Sequence, residues 1–207
     1  MKLSNPVVSI TTGALRLHVN FVPPVDRQVE KQVSEMFRKA AQIVRRKTTP
    51  NSKTAALFER LKQGLSYLET DEVREKLRRK ISKALKAGGI PHGVLKAMTE
   101  MFVYLSVNHI DLLYAKAGDG VILYLKCGSI GTLVKLREMV LSRVLLRLLS
   151  EAIRKVTESQ ARLQLVVKAE DYSLTLSYLN SVAGRFVSVR YICANGHLII
   201  NKQQNQF

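Results

Sequence analysis

Tryptophan is absent from the 207 residues and only 6% of them are aromatic, which excludes a core built on large rings and leaves aliphatic side chains to fill it. Cysteine occurs twice, at Cys127 and Cys193, so the chain supports at most one internal disulfide. A structural zinc site would have to draw on histidines or carboxylates as well. Acids are scarce, 16 against 33 lysines and arginines, for a formal charge of +17; such an excess favours anionic partners at long range and says nothing direct about fold. No apolar stretch is long. The greasiest, 139–149, is interrupted by Arg143 and Arg147 and is too short to cross a bilayer. The first thirteen residues hold no continuous apolar block of the signal-peptide kind, because Ser4, Asn5, Pro6, Ser9, Thr11 and Thr12 break it up. The expectation is a soluble cytoplasmic protein with both thiols free.

Motifs that announce chemistry are missing as well. There is no G-x-S-x-G elbow, no glycine-rich phosphate loop ending in Lys-Ser or Lys-Thr, and no G-x-G-x-x-G after a strand. His18, His92, His109 and His197 are scattered, without a metal-binding helix spacing. Glu170 and Asp171 are adjacent, so their side chains diverge and make a poor acid–base pair; capping the helix that follows suits Asp171 better. Cys127 belongs to the same hairpin as His109, but its strand position points inward, where an apolar site makes a thiol inert. Neither an enzyme, a cofactor nor a metal is expected.

What is present is a globular composition, 46% hydrophobic and 24% charged, enough for a sizeable core in one or at most two domains. Residues 14–21 alternate, with Leu15, Leu17, Val19 and Phe21 on one side and Arg16, His18 and Asn20 on the other, the period of a half-buried strand that Pro23 and Pro24 end. From Asp26, an N-cap, Val29, Val33, Phe37, Ala40, Ala41 and Val44 fall at helical spacing as far as Arg46. A polar linker over 47–54 precedes a second helix over 55–68. A third, capped by Thr70 and stopped by Gly88 and Gly89, precedes a fourth over 93–106.

Two apolar runs around Gly118, Asp119 and Gly120 predict a β-hairpin over 110–127, with Val121, Leu123, Leu125 and Cys127 on one face and Ile122, Tyr124 and Lys126 on the other. A single long helix is expected over 129–156, apolar at Leu133, Leu136, Val140, Val144, Leu148 and Ala152. Residues 162–169 alternate as a strand, with Leu163, Leu165, Val167 and Ala169 inward and Val166 the apolar exception among outward Arg162, Gln164 and Lys168. A short helix starting at Asp171 follows, and Asn195-Gly196 between apolar runs predicts a terminal hairpin. The sum is an α+β two-layer sandwich: a mostly antiparallel sheet of about four strands backed by helices, plus a C-terminal hairpin. One domain over 13–202 is flanked by tails at 1–12 and 203–207, with its other sheet face left to solvent or to a partner.

The order of the later segments, KISKALKAGGIPHGVLKAM, GDGVILYLKCG, VLLRLLSEAI and RLQLVVKAED, resembles the N-terminal domain of the TNF-receptor-associated death-domain adaptors, over roughly 77–179. The resemblance implies an α/β sandwich with a four-stranded antiparallel sheet and a non-enzymatic adaptor of innate-immune or cell-death signalling. Such an adaptor recruits a TRAF-type protein through the exposed sheet face. Matched strand by strand, it places Arg16 and His18 at the first-strand contact positions and Ile122 at the hairpin position, with Tyr124 and Val166 enlarging the patch. The cation and the imidazole replace apolar or aromatic contacts of the family. The plainer alternative for Ile122, Tyr124 and Val166 is a covered second layer of core.

A competing expectation follows from the charge. Residues 38–53 and 74–86 are basic runs, and Arg45, Arg46, Lys47, Arg78, Arg79, Lys80 and Lys83 are candidates for nucleic-acid binding. The runs contain no exposed aromatic to read a base, and solvated helix faces account for them more simply. An anionic membrane surface met by the same helices ranks last, since no lipidation motif supports it.

Overall fold

The computed structural model describes residues 13–47, 67–157, 161–183, 191–194 and 197–200. The expected helix over 55–68 and the two tails lie outside these residues, apart from the first residues of a helix that begins at Tyr67. In chain order the elements are β1 (Ala14–Val22), α1 (Arg27–Lys47), α2 (Tyr67–Ala87), α3 (His92–Val107), β2 (Ile110–Gly118), β3 (Gly120–Cys127), α4 (Ile130–Leu141), α5 (Val144–Thr157), β4 (Arg162–Val167), α6 (Ala169–Val182), β5 (Tyr191–Ala194) and β6 (His197–Ile200). The class is α+β, as the patterning predicts.

β1 to β4 form one antiparallel sheet in the order β2-β3-β1-β4. Helical connections link β1 to β2 and β3 to β4 around a central hairpin, so the arrangement is a split β-α-β unit with β1 and β3 in the middle. β5 and β6 pair separately as the expected terminal hairpin.

Cross-strand partners share a face of a pleated sheet. Leu15 faces Leu125, Leu17 faces Leu123 and Val19 faces Val121, and all six side chains are buried. Against them packs α1, whose Val33, Phe37, Ala40, Ala41 and Val44 recur at helical spacing and lose nearly all contact with water. Met98, Leu105, Leu133 and Leu149 from α3, α4 and α5 close the same core. It is aliphatic, as the shortage of aromatic residues demands, with Phe37 its largest wholly enclosed ring.

Local signals set several element ends. The Asp26 carboxylate accepts from the Gln28 amide at 2.6 Å, which caps α1 as expected. Ser129 caps α4 by accepting from the Thr132 amide at 3.1 Å. Gly89, at φ +75°, ends α2, and the Ile90 amide returns to the Leu85 carbonyl at 3.0 Å. At the hairpin, Gly120 sits at φ +88°, and a Cβ there would lie 2.4 Å from the Val19 carbonyl oxygen. Only glycine fits where the turn passes so close to β1. The Gly120 amide donates to the Glu30 carboxylate at 2.8 Å, tying the turn to α1.

Four local expectations need correction. The helix expected over 129–156 is two helices, broken at Ser142 and Arg143, the latter at φ +59°. The break shifts the buried stripe of α5 to Leu145, Leu149 and Ile153 in place of Val144 and Leu148. Thr70 does not cap α2, which already runs from Tyr67. Nor does Asp171 cap α6: that helix starts at Ala169 after an extended Lys168 that makes no side-chain cap. Ala169 accordingly belongs to the helix and not to β4.

Candidate functional site

The outward face of the sheet can be laid out from its pairing. One row runs Lys116, Ile122, His18, Val166 across β2, β3, β1 and β4, and the next runs Tyr114, Tyr124, Arg16. Lys126 and Asp111 stand opposite each other above the tyrosines, Asn20 faces Gln164 below His18, and Arg162 lies beyond them at the end of β4. Lys168 follows β4 where its ladder ends. None of these side chains is buried: Ile122, Tyr114, Tyr124 and Val166 are half-buried, while Lys116, Lys126, Arg162 and Lys168 are exposed. The structure therefore brings the five residues proposed for partner contact, Arg16, His18, Ile122, Tyr124 and Val166, onto one face. Among the described residues no helix layer covers it as α1 covers the opposite side.

Tyr114 is a member of this face that strand alternation alone misplaces. Counting by twos from Ile110 and Leu112 would send Tyr114 inward, but a register shift between Leu112 and Tyr114 resets the phase. Ala115 then points to the core and Tyr114 pairs with Tyr124, their ring centroids 6.0 Å apart and tilted by 55°.

The second residue missed is Asp171. α6 continues from β4 past the last rung, Leu17–Val167, and reaches β1 at two points. The Tyr178 ring lies where a Cβ on Gly13 would be, and Asp171 meets Arg16. Its Oδ1 accepts from Arg16 Nε at 2.7 Å and also from Nη2, a forked ion pair in which the carboxylate side chain is only 4% exposed and the guanidinium side chain 35%. His18 Nε2 lies 3.7 Å from Asp171 Oδ2, and neither atom finds a hydrogen-bond partner among the described residues. Burial, reinforced by the nearby Lys168 charge, holds His18 below its ordinary value of 6.5 despite the pull of Asp171. The imidazole is thus neutral near pH 7. An acid at the start of the helix after β4, together with outward cationic residues on β1, was the available sequence signal; it required knowing that β1 pairs with β4.

The remaining candidates are placed as follows. Cys127 is a free, buried thiol, and desolvation pushes it up to about 12, so it carries no thiolate at neutral pH. A shallow depression of about 750 Å³ at the hairpin end of the sheet is lined by Asn20, Phe21, Arg27, Glu30, Asp119 and Ile122, and Glu30 is committed to the Gly120 amide. Among the described residues no group of three or more His, Cys, Asp or Glu is placed to hold a metal ion. No helix there is long and apolar enough to cross a membrane.

Of the basic runs, Arg45, Arg46, Arg79, Lys80 and Lys83 are exposed and Arg78 is half-buried. The side chain of Lys47 and residues 48–53 lie outside the described set. Many of these cations face acids: Arg78 holds Glu100 at 2.7 Å and also Glu75, Arg79 reaches Glu75 at 3.3 Å, Lys76 pairs with Glu72, and Arg38 pairs with Glu35. The Arg78 contact pulls the Glu75 carboxyl below its ordinary range, and Glu100 with Glu75 raises Arg78 further. Comparison of the chain with family models, characterised proteins and solved structures finds no match.

Proposed function

We propose that this chain is a non-enzymatic interaction domain, an adaptor of innate-immune or cell-death signalling that docks a protein partner of TRAF type on the open sheet face. The observation that carries the reading is the asymmetry of the sheet. One face is sealed by α1 and its neighbours, while the other presents Ile122, Val166, Tyr114 and Tyr124 half in solvent on rigid, paired strands. Tyrosine and isoleucine so held desolvate a large area with little ordering cost, which is what interface anchors do. The likeness of the 77–179 segment to the adaptor family supports the TRAF-type partner and the signalling context. Nucleic-acid binding through the basic helices draws less support, because Arg38, Lys76, Arg78 and Arg79 already face carboxylates of this chain.

Retention of a purified TRAF domain on the immobilised protein tests the proposal. The wild type is expected to retain it, and Ile122→Asp or Tyr124→Asp to lower retention by about tenfold or more, with unchanged circular dichroism. Failure of the wild type to retain any TRAF domain overturns the partner. Retention that is indifferent to both substitutions overturns the face.

A further inference from the structure

Resting on that reading of the sheet face, we infer that its occupant is an acidic protein segment with an apolar anchor, the anchor seated between Ile122, Tyr124 and Val166 and the carboxylates met by Lys116, Lys126, Arg162 and Lys168. The argument is one of layout. The apolar side chains occupy the middle rows, and the four lysine and arginine side chains stand around them, at the β2 edge, above the tyrosines and at both ends of β4. An apolar centre inside a polar rim is the anatomy of a protein–protein interface.

The two basic groups on the central strand do not contribute to the net charge. Arg16 is neutralised by the buried carboxylate of Asp171. His18, half-buried beside the Lys168 and Arg16 charges, is held below its ordinary value and stays uncharged near pH 7. Positive charge therefore belongs to the rim, where the exposed cations Lys116, Lys126, Arg162 and Lys168 outnumber the exposed acids near them: Asp111 opposite Lys126, Asp119 in the hairpin turn beside Ile122, and Glu170 two residues after Lys168. None of the four forms an ion pair among the described residues. The helical layer differs, since its cations alternate with acids three and four residues away. Unbalanced rim charge steers and selects a partner of opposite sign.

A single-stranded nucleic acid would ask for something else: ring faces laid open for stacking along a continuous cationic track. Here Tyr114 and Tyr124 tilt into each other at 55°, and aliphatic Ile122 and Val166 take the neighbouring positions.

A random-peptide display library panned on the immobilised full chain, with peptides also retained by Ile122→Asp subtracted, reads the preference without a known partner. Surviving peptides are expected to carry Asp or Glu around a Leu, Phe or Tyr. A synthetic survivor, followed by fluorescence anisotropy, should bind about tenfold more weakly to the variant with Lys116, Lys126, Arg162 and Lys168 all changed to Ala, and more weakly in high salt. All four side chains are exposed, and Lys116→Glu alone provides a milder variant should the quadruple one melt early. Survivors without acidic enrichment, no survivors at all, or affinity unchanged in both variants overturn the inference. So does a uridine oligonucleotide that binds more tightly than every survivor and is lost with the same substitutions. TRAF-domain retention that depends on Ile122 but ignores the four cations would leave the docking face standing and remove its acidic partner.

Discussion

The two faces of the four-stranded sheet are made from alternate residues of the same strands and have opposite fates. On β1, Leu15, Leu17 and Val19 lie within the core under α1, while Arg16, His18 and Asn20, one position away, look outward. On β3 the same alternation separates Leu123 and Leu125 from Ile122 and Tyr124. The difference is not one of hydrophobicity alone, because Ile122, Val166 and Tyr124 would serve as core. Among the described residues they stay half-buried because the helices that follow β1 and β3 in the chain pack on the other side. Apolar side chains held open on a rigid sheet are more naturally explained by a partner than by stability.

Stability measurements offer the strongest challenge to this contrast. Phe37→Ala removes a fully enclosed ring under the sealed face and is expected to cost about 3–5 kcal/mol in urea unfolding. Ile122→Asp on the open face should cost about 1 kcal/mol or less. Equal losses would mean that the second face is also a packed layer.

A smaller effect is expected at the junction of the two faces. Asp171→Asn removes a buried charge whose partner, the Arg16 guanidinium, is part-exposed, so about 1–2 kcal/mol is expected. A double-mutant cycle with Arg16→Met should return a coupling of about 1 kcal/mol. Additivity of the two substitutions would show that the ion pair contributes nothing to the docking of α6.

The smallest effect concerns pH. His18 is harder to protonate in the folded protein than its ordinary 6.5, so the unfolded chain binds the proton more readily as pH falls through that value. Its contribution to stability is therefore intact above the ordinary value and declines as pH drops below it. Urea midpoints taken at about pH 7.5 and about pH 5.5 should diverge less in His18→Gln than in the wild type. An unchanged divergence would assign the pH response to other groups.

Much of the architecture was legible along the chain. Period-two alternation over 14–21 and 121–127, the glycine turn between β2 and β3, the Asp26 cap and the Gly89 stop are local properties, and each appears in the fold. The errors occurred where a local rule met a non-local demand. The apolar pattern continues through Ser142 and Arg143, yet the backbone turns there and α5 buries a different stripe. Along β2, where no faces were assigned from the sequence, alternation counted from Ile110 would fail at the Leu112/Tyr114 shift, which only pairing with β3 reveals.

The candidate site divides along the same line. Periodicity alone put Arg16 with His18, and Ile122 with Tyr124, on the outward sides of their strands, and composition established the cationic excess. It could not establish that β1 lies between β3 and β4, so that His18 is flanked by Ile122 and Val166, or that Arg16 finds its counter-charge 155 positions away at Asp171. Side-chain period is written into each short segment by backbone geometry, whereas strand neighbours and ion-pair partners are chosen when distant segments close over one core. For that reason the polarity of each face could be read from the chain, and its membership only from the fold.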